Sequence, residues 1–185
     1  MASAARPAPA PSDGASVTIP AIAEDGTLYP IEKMEAHRLG VPHVAVSVFL
    51  VAGGRLLIQR RALGKYHCGG LWANTCCSHP HWDEPVADAA VRRLSEELGV
   101  TGVRLVPQGE LSYRAEVSEG LVENERVHLY RGEPGPGTEF RPDPAEVSEI
   151  RWIGLSELFT EMAEDPDRFA PWFRIYLERR SDLMR

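Results

Sequence analysis

Nothing in these 185 residues resembles a membrane span, a disulfide scaffold or a nucleic-acid patch. No apolar run approaches the roughly 20 residues needed to cross a bilayer. The start of the chain lacks the basic-then-apolar order of a secretory signal, which sets the expectation of a protein that is not exported. Cysteine is scarce: there are three, an odd number, and Cys76 adjoins Cys77, so they cannot all pair within the chain. That usage suits a reducing compartment, and the expected location is cytoplasmic. Positive charge is in deficit, with 20 Lys and Arg against 27 Asp and Glu and a formal net charge of −7. Neither nucleic acid nor an anionic membrane surface has an electrostatic case as partner. There is no internal repeat, and nothing in composition or periodicity specifies an oligomer.

What is present is ordinary for a globular domain, 43% hydrophobic and 25% charged, at a length that buries a real core. Residues 1–20 are rich in Ala, Pro and Ser and carry few large apolar groups, so they are expected to form a disordered tail. The rest, 21–185, reads as one domain. HVAVSVFLV (43–51) is apolar on both faces and predicts a buried strand, turned by Ala52-Gly53-Gly54 into a second over 55–62. A Gly-rich loop leads to a short strand near 72–76. The clearest helix runs over 85–98, with Asp83 as N-cap, Pro85 in the first turn and Gly99 as stop. Its apolar stripe is Ala87, Ala90, Val91, Leu94 and Leu98, beside a face of Ala89, Arg93 and Glu97. Strands follow at about 103–115, 121–131 and 149–153, then helices near 155–163 and 166–183. The Pro/Gly segment 132–144 reads as a surface loop. The fold class is α+β (mixed α/β), a mixed sheet flanked by helices.

Chemistry gathers in two places. Cys77 lies two residues before His79 in CCSHPH (76–81), and Glu125 closes Glu123-Asn124-Glu125. A thiol and a carboxyl facing each other across a pocket suit moving a proton between two carbons. His37, His43, His79, Glu123 and Glu125 have the chemistry of one octahedral metal site, better matched to Mn²⁺, Zn²⁺ or Fe²⁺ than to Ca²⁺. Glu123 and Glu125 are two apart on a predicted strand and point to one side. Spacing alone fits equally a solvated His37, a strand-end His43 and two glutamates on an exposed edge.

From Ser78 the chain reads S-x₅-E-x₇-R-R-L-x-E-E-x-G-V, ending at Val100. This resembles the Nudix signature G-x₅-E-x₇-R-E-U-x-E-E-x-G-U (U aliphatic), a loop–helix–loop that binds divalent metal and diphosphate. Ser78 replaces the first Gly, and Arg93 replaces a metal-binding Glu. A cation there spoils the usual hydrolytic metal cluster and suits diphosphate oxygens instead. Together with LIQRRALGK (57–65), LWANTCCSHP (71–80), YRAEVSEGLVENE (113–125) and FAPWF (169–173), these departures are similar to the type 1 isopentenyl-diphosphate isomerase family. The likeness spans roughly residues 24–176, with a Nudix core at about 42–176.

That resemblance implies a metal, Mn²⁺ or Zn²⁺, on His37, His43, His79, Glu123 and Glu125. It implies Mg²⁺ against the diphosphate of an allylic or homoallylic substrate, held by Glu97 and the backbone carbonyl of Cys77. Cys77 and Glu125 would transfer the protons, with Tyr113 assisting and Trp172 facing a carbocation. Lys33, Arg61, Lys65 and Arg93 would contact the diphosphate. The acid and base roles are exchangeable, and the Cys77 thiol is expected to be lowered by nearby positive charge. Cys68 has no expected role, and Cys76 should point to the opposite face from Cys77. His67, His81 and His128 match nothing required and read as surface or structural residues. Two other readings share this pattern in part: a Nudix pyrophosphohydrolase, and a non-catalytic metal-binding module.

Overall fold

The computed structural model describes residues 17–118 and 120–184. HVAVSVFLV forms β3 (His43–Ala52), buried at every position but its last. Gly53 and Gly54, both at positive φ, turn it into β4 (Arg55–Arg61). Side chains alternate across a strand, so β3 serves two cores. Ala45, Phe49 and Val51 face the side that the C-terminal helices cover, and Val46, Val48 and Leu50 face the long central helix.

The remaining strands are β1 (Thr18–Ile22), β2 (Leu28–Glu32), β5 (Trp72–Ala73), β6 (Cys76–Ser78), β7 (Leu105–Ser118), β8 (Leu121–Gly132) and β9 (Val147–Gly154). β3 pairs in parallel with β8 and antiparallel with β1, β4 and β6; β7 closes on β8, and β9 on β4. The strand expected near 72–76 is thus two strands. Between them Asn74 and Thr75 replace ladder bonds with buried side-chain bonds: Thr75 Oγ1 accepts from Leu50 N and donates to Leu57 O. The chain steps there from β4 to β3.

Residues 17–42 carry structure that periodicity missed. Thr18 to Pro20 lie in β1 and so do not belong to the expected 1–20 tail; residues 1–16 lie outside the described residues. Pro20 stands opposite Pro30 in the β1–β2 hairpin. Neither has an N–H to give, so both fit only where a pair exchanges no hydrogen bonds. Helix α1 (Lys33–Leu39) follows, capped by the Glu32 carboxylate, which accepts from Met34 N and Glu35 N at 2.9 Å each.

Helix α2 (Val86–Leu98) starts one residue later than expected and Asp83 does not cap it. Asp83 instead takes a left-handed turn at φ 66°, and Pro85 sits in the cap position with no side-chain cap bond. Its buried face is Ala89, Ala90, Arg93, Leu94, Glu97 and Leu98, so the stripe is rotated: Ala87 and Val91 are exposed. Burying Leu94 and Leu98 stabilises the helix by about 1.5–3 kcal/mol each. Helix α3 (Leu155–Glu164) matches its expected span, but the helix expected over 166–183 is broken. Pro166–Arg168 is a 3-10 turn, Phe169 and Ala170 are extended, α4 is Pro171–Arg180, and a second 3-10 turn spans Ser181–Met184. A residue before proline disfavours the helical region, so Ala170 extends and donates its N–H to Trp72 O while Pro171 restarts the helix. No described helix is long and apolar enough to cross a membrane.

Gly99 ends α2 at φ 66°, and a Cβ there would meet Arg141 Cβ and the Arg141 carbonyl oxygen at 2.8 Å. Gly99→Ala is expected to cost about 2 kcal/mol or more, from left-handed backbone plus this contact. Gly53→Ala, with nothing within 4 Å, should cost only the backbone share. Urea midpoints of the two variants check the difference.

Candidate active site

Register places the functional side chains. His43 on β3 lies beside Glu125 on β8, Ser47 beside Cys77 on β6, and Glu125 beside Tyr113 on β7. All share the face of β3 that carries Ala45 and Phe49. α1 adds Lys33 and His37 from one helical face, where His37 Nδ1 donates to the Lys33 carbonyl at 2.7 Å. Arg61 enters past a bulge at Arg60/Arg61, so Arg61 is buried and Arg60 is exposed. α4 delivers Trp172, 1% exposed. Lys33, Arg61, Lys65, Tyr66, His67, Cys77, His79, Tyr113, Glu123, Glu125 and Trp172 line one narrow pocket. A roomier groove of about 590 Å³ lies against α3 and α4, but none of the histidines, cysteines or predicted cations lines it.

The His/Glu group fits a divalent cation. His37, His43, His79 and Glu125 offer ligand atoms within 4.8 Å of one another, and Glu123 groups with His37 and His67 by the same measure. The Nδ1 atoms of His37 and His43 donate to Lys33 O and Val41 O, leaving each Nε2 buried without a hydrogen-bond partner. A ring held by its outer nitrogen with its inner lone pair unused is the arrangement of a metal-bound imidazole. Burial, with the neighbouring His79 and His43, lowers His37 to about 3, so that ring is a neutral donor. His79 Nε2 lies 2.9 Å from Glu125 Oε1. Burial works against charge on Glu125, but contacts from His43 and Tyr113 outweigh it and hold the carboxyl below its usual range. The Tyr113 hydroxyl is 2.7 Å from Glu123 Oε2 and from Glu125 Oε2. The two carboxylates thus share one phenolic hydrogen.

Cys77 corrects the expectation for its thiol. Burial pushes it well up, outweighing the hydrogen bond from Ser47. Asn74 Nδ2 donates to Ser47 Oγ and Val48 O, which turns Oδ1 towards Cys77, and the thiol donates to it at 2.9 Å. The resting group is therefore a protonated thiol. Cys76, fully buried, packs on the other side of the strand against the α2 core. Cys68 is buried at φ 51° in the loop before β5.

The NUDIX domain family matches residues 41–173. An isopentenyl-diphosphate Delta-isomerase of Rhodobacter capsulatus is 48% identical over 166 residues, 90% of this chain and 94% of that protein. One from Cereibacter sphaeroides is 55% identical, over 83% of this chain and 86% of that one. The chain belongs to the isopentenyl-diphosphate Delta-isomerase family. Solved structures share its fold. A Deinococcus radiodurans protein, DR0079, has a TM-score of 0.64 at 17% identity, covering 80% of this chain and 89% of its own. A MutT NUDIX hydrolase of Burkholderia pseudomallei has a TM-score of 0.59 at 25% identity, covering 75% and 98%.

In this member of the isomerase family, Arg93 and Glu97 stand apart from the other predicted residues, since they neither line the pocket nor join the His/Glu group that His37 and His43 belong to. Arg93 donates to Glu96 and Glu97 at 2.7 and 2.8 Å, and approaches Glu146 at 3.3 Å. Sequence reading missed Glu146, which also pairs with Lys65; nothing local marked it, since it lies in a polar loop before β9. It also missed His67, which is 4% exposed and faces Glu123. His81 is exposed, and His128 is a partly exposed neighbour of Glu110.

Burial, then repulsion from Arg93 and Arg61, lowers Lys33 to about 7. At pH 8 it is mostly neutral, and a polyanion beside it favours the charged form. An alkyl diphosphate binding at pH 8 is expected to take up close to one proton, a quantity that falls by most of one in Lys33→Met. Calorimetry in buffers of different ionisation enthalpy reads it.

Proposed function

We propose that this chain interconverts isopentenyl diphosphate and dimethylallyl diphosphate, supplying the allylic isoprenoid precursor. The observation that carries the reading is one pocket holding the Cys77 thiol, the Glu125–Tyr113 pair and the Trp172 ring, with Lys33, Arg61 and Lys65 in the same wall. The reaction adds a proton to C4 and removes one from C2, so the double bond moves from C3–C4 to C2–C3 with no net change in protons. Cys77, a protonated thiol at rest, delivers the C4 proton; general acid catalysis of this kind contributes about 10²–10⁴-fold. Glu125, held ionised, accepts the C2 proton with Tyr113 relaying. In the reverse direction the Glu125 carboxyl is the donor and the Cys77 thiolate the acceptor.

Between the two transfers the charge sits at C3. An indole face stabilises a desolvated cation by about 2 kcal/mol and offers no lone pair to capture it. Arg61 already lies over Trp172, its guanidinium 5.2 Å from the ring centroid, so this indole already faces a buried cation. His37, His43, His79, Glu123 and Glu125 would hold Mn²⁺ or Zn²⁺; Glu97 with the Cys77 carbonyl would hold Mg²⁺ beside the diphosphate only by giving up one of the bonds its oxygens accept from Arg93 and Gln59. Bound there, such ions neutralise the acidic cluster and the substrate phosphates. Lys33, Arg61 and Lys65 orient the diphosphate directly, while Arg93 reinforces that end from behind. A cytoplasmic, reducing setting keeps Cys77 a free thiol. The hydrolase reading is disfavoured because Arg93 neutralises the acids of α2 that a hydrolytic metal cluster would use.

In D₂O with Mg²⁺, proton NMR should show dimethylallyl diphosphate carrying deuterium in its methyl groups and no phosphate release. Phosphate without isomerisation would instead mean a hydrolase. Cys77→Ala and Glu125→Gln should each lower turnover by about 10²–10⁴-fold, with metal retention weakened only in Glu125→Gln. Trp172→Phe should keep more activity than Trp172→Ala, and equal losses would count against a cation–π role.

A further inference from the structure

His67 is the buried polar residue of this pocket to which the proposed reaction gives no task. Its backbone carbonyl accepts from Arg61 Nε and Nη2 at 3.3 and 3.1 Å. Its ring meets Trp172 edge to face with centroids 5.5 Å apart, and packs on Tyr66 at 4.2 Å. Its Nε2 lies 3.2 Å from Glu123 Oε1. That approach is off the N–H axis, so neither ring nitrogen has an aligned hydrogen bond. Glu123 is thereby gripped from two sides: Tyr113 donates to Oε2, and His67 faces Oε1. A carboxylate that binds a divalent ion needs such an outer partner, because its two oxygens otherwise rotate freely between bound and unbound orientations.

We propose that His67 is a positioning residue that orients the Glu123 carboxylate towards the His37/His43/His79/Glu125 cluster. The inference rests on the metal reading above. His67 itself stands off the main group: its ring nitrogens fall within ligand range of His37 and Glu123, but not of His43, His79 and Glu125 together. Its place is beside Glu123, with Nε2 3.2 Å from Oε1, where a small turn of the ring brings Nε2–H onto that oxygen. Because the contact to Arg61 is made by backbone, the side chain acts on the metal side of the pocket and leaves the diphosphate side unchanged.

The test measures metal affinity of the full chain by competition with a chromogenic chelator, run with Mn²⁺ and with Zn²⁺. His67→Ala removes ring and donor, His67→Phe keeps the ring volume and the packing on Trp172 without a donor, and His67→Gln restores an N–H near the Nε2 position. Ala and Phe should bind metal about 10–100-fold more weakly, and Gln within about threefold of wild type. The KM for isopentenyl diphosphate at saturating metal should stay within about threefold in all three, as Arg61 keeps its anchor. Wild-type affinity in His67→Phe would overturn the inference, since packing alone would then suffice. A loss in His67→Gln as deep as in His67→Phe would also overturn it. Absence of binding by the wild-type chain would overturn the metal reading itself, and this inference with it.

Discussion

The parallel pairing of β3 with β8 is the constraint from which the site follows. Its register sets His43 against Glu125, Ala45 against Val127 and Ser47 against Leu129. A slip of one residue would send both glutamates of β8 to the α2 side and bring Asn124 and Arg126 into the pocket, because the side-chain period of a strand is two. The alternating pattern forbids that slip. Val127 and Leu129 belong to one core, and Tyr130 to the other. The hydrophobic alternation that stabilises the sheet is therefore also what aims the acids.

The chemistry sits in a balance of buried charge that the overall −7 does not describe. At one end burial, with Arg93 and Arg61 nearby, pulls Lys33 towards neutrality; at the other, two glutamates share a single phenol. Buried charges are tolerated when each has a partner, and here nearly every partner is a side chain on another element. Among the described residues the exceptions include the inner nitrogens of His37 and His43 and both ring nitrogens of His67, which are buried with no hydrogen-bond partner. Charges farther than about 8 Å are screened at physiological salt, so the local arrangement governs substrate recognition.

Much of this was legible in the chain. β3, β4, the stop of α2 at Gly99 and the opposed faces of Cys76 and Cys77 follow from apolar pattern, turn chemistry and strand alternation. The family likeness named residues that the fold does bring to one pocket. What escaped has physical causes. The β1–β2 hairpin is short and carries a proline in each strand, so propensity argued against it. Asp83 looks like a cap, but its left-handed backbone carries the chain past that position. His67 has no local partner in sequence; it meets Glu123 only after a loop and two strands fold together. The direction of the Cys77 shift depended on burial, which outweighs any positive charge that sequence alone could place nearby.

The pleat of β6 has one more outcome. Two cysteines in succession would ordinarily be each other's nearest oxidation partner. Along this strand one sulfur lies under α2 and the other opens into the pocket, on opposite sides of a backbone paired to Val48 and Ser47. Joining them would require both Cβ atoms to come within about 4 Å on one side, which the extended backbone does not permit without unzipping β3 from β6. The sheet thereby keeps a neighbouring thiol from quenching the reactive one, and the geometry that aims Cys77 also shields it.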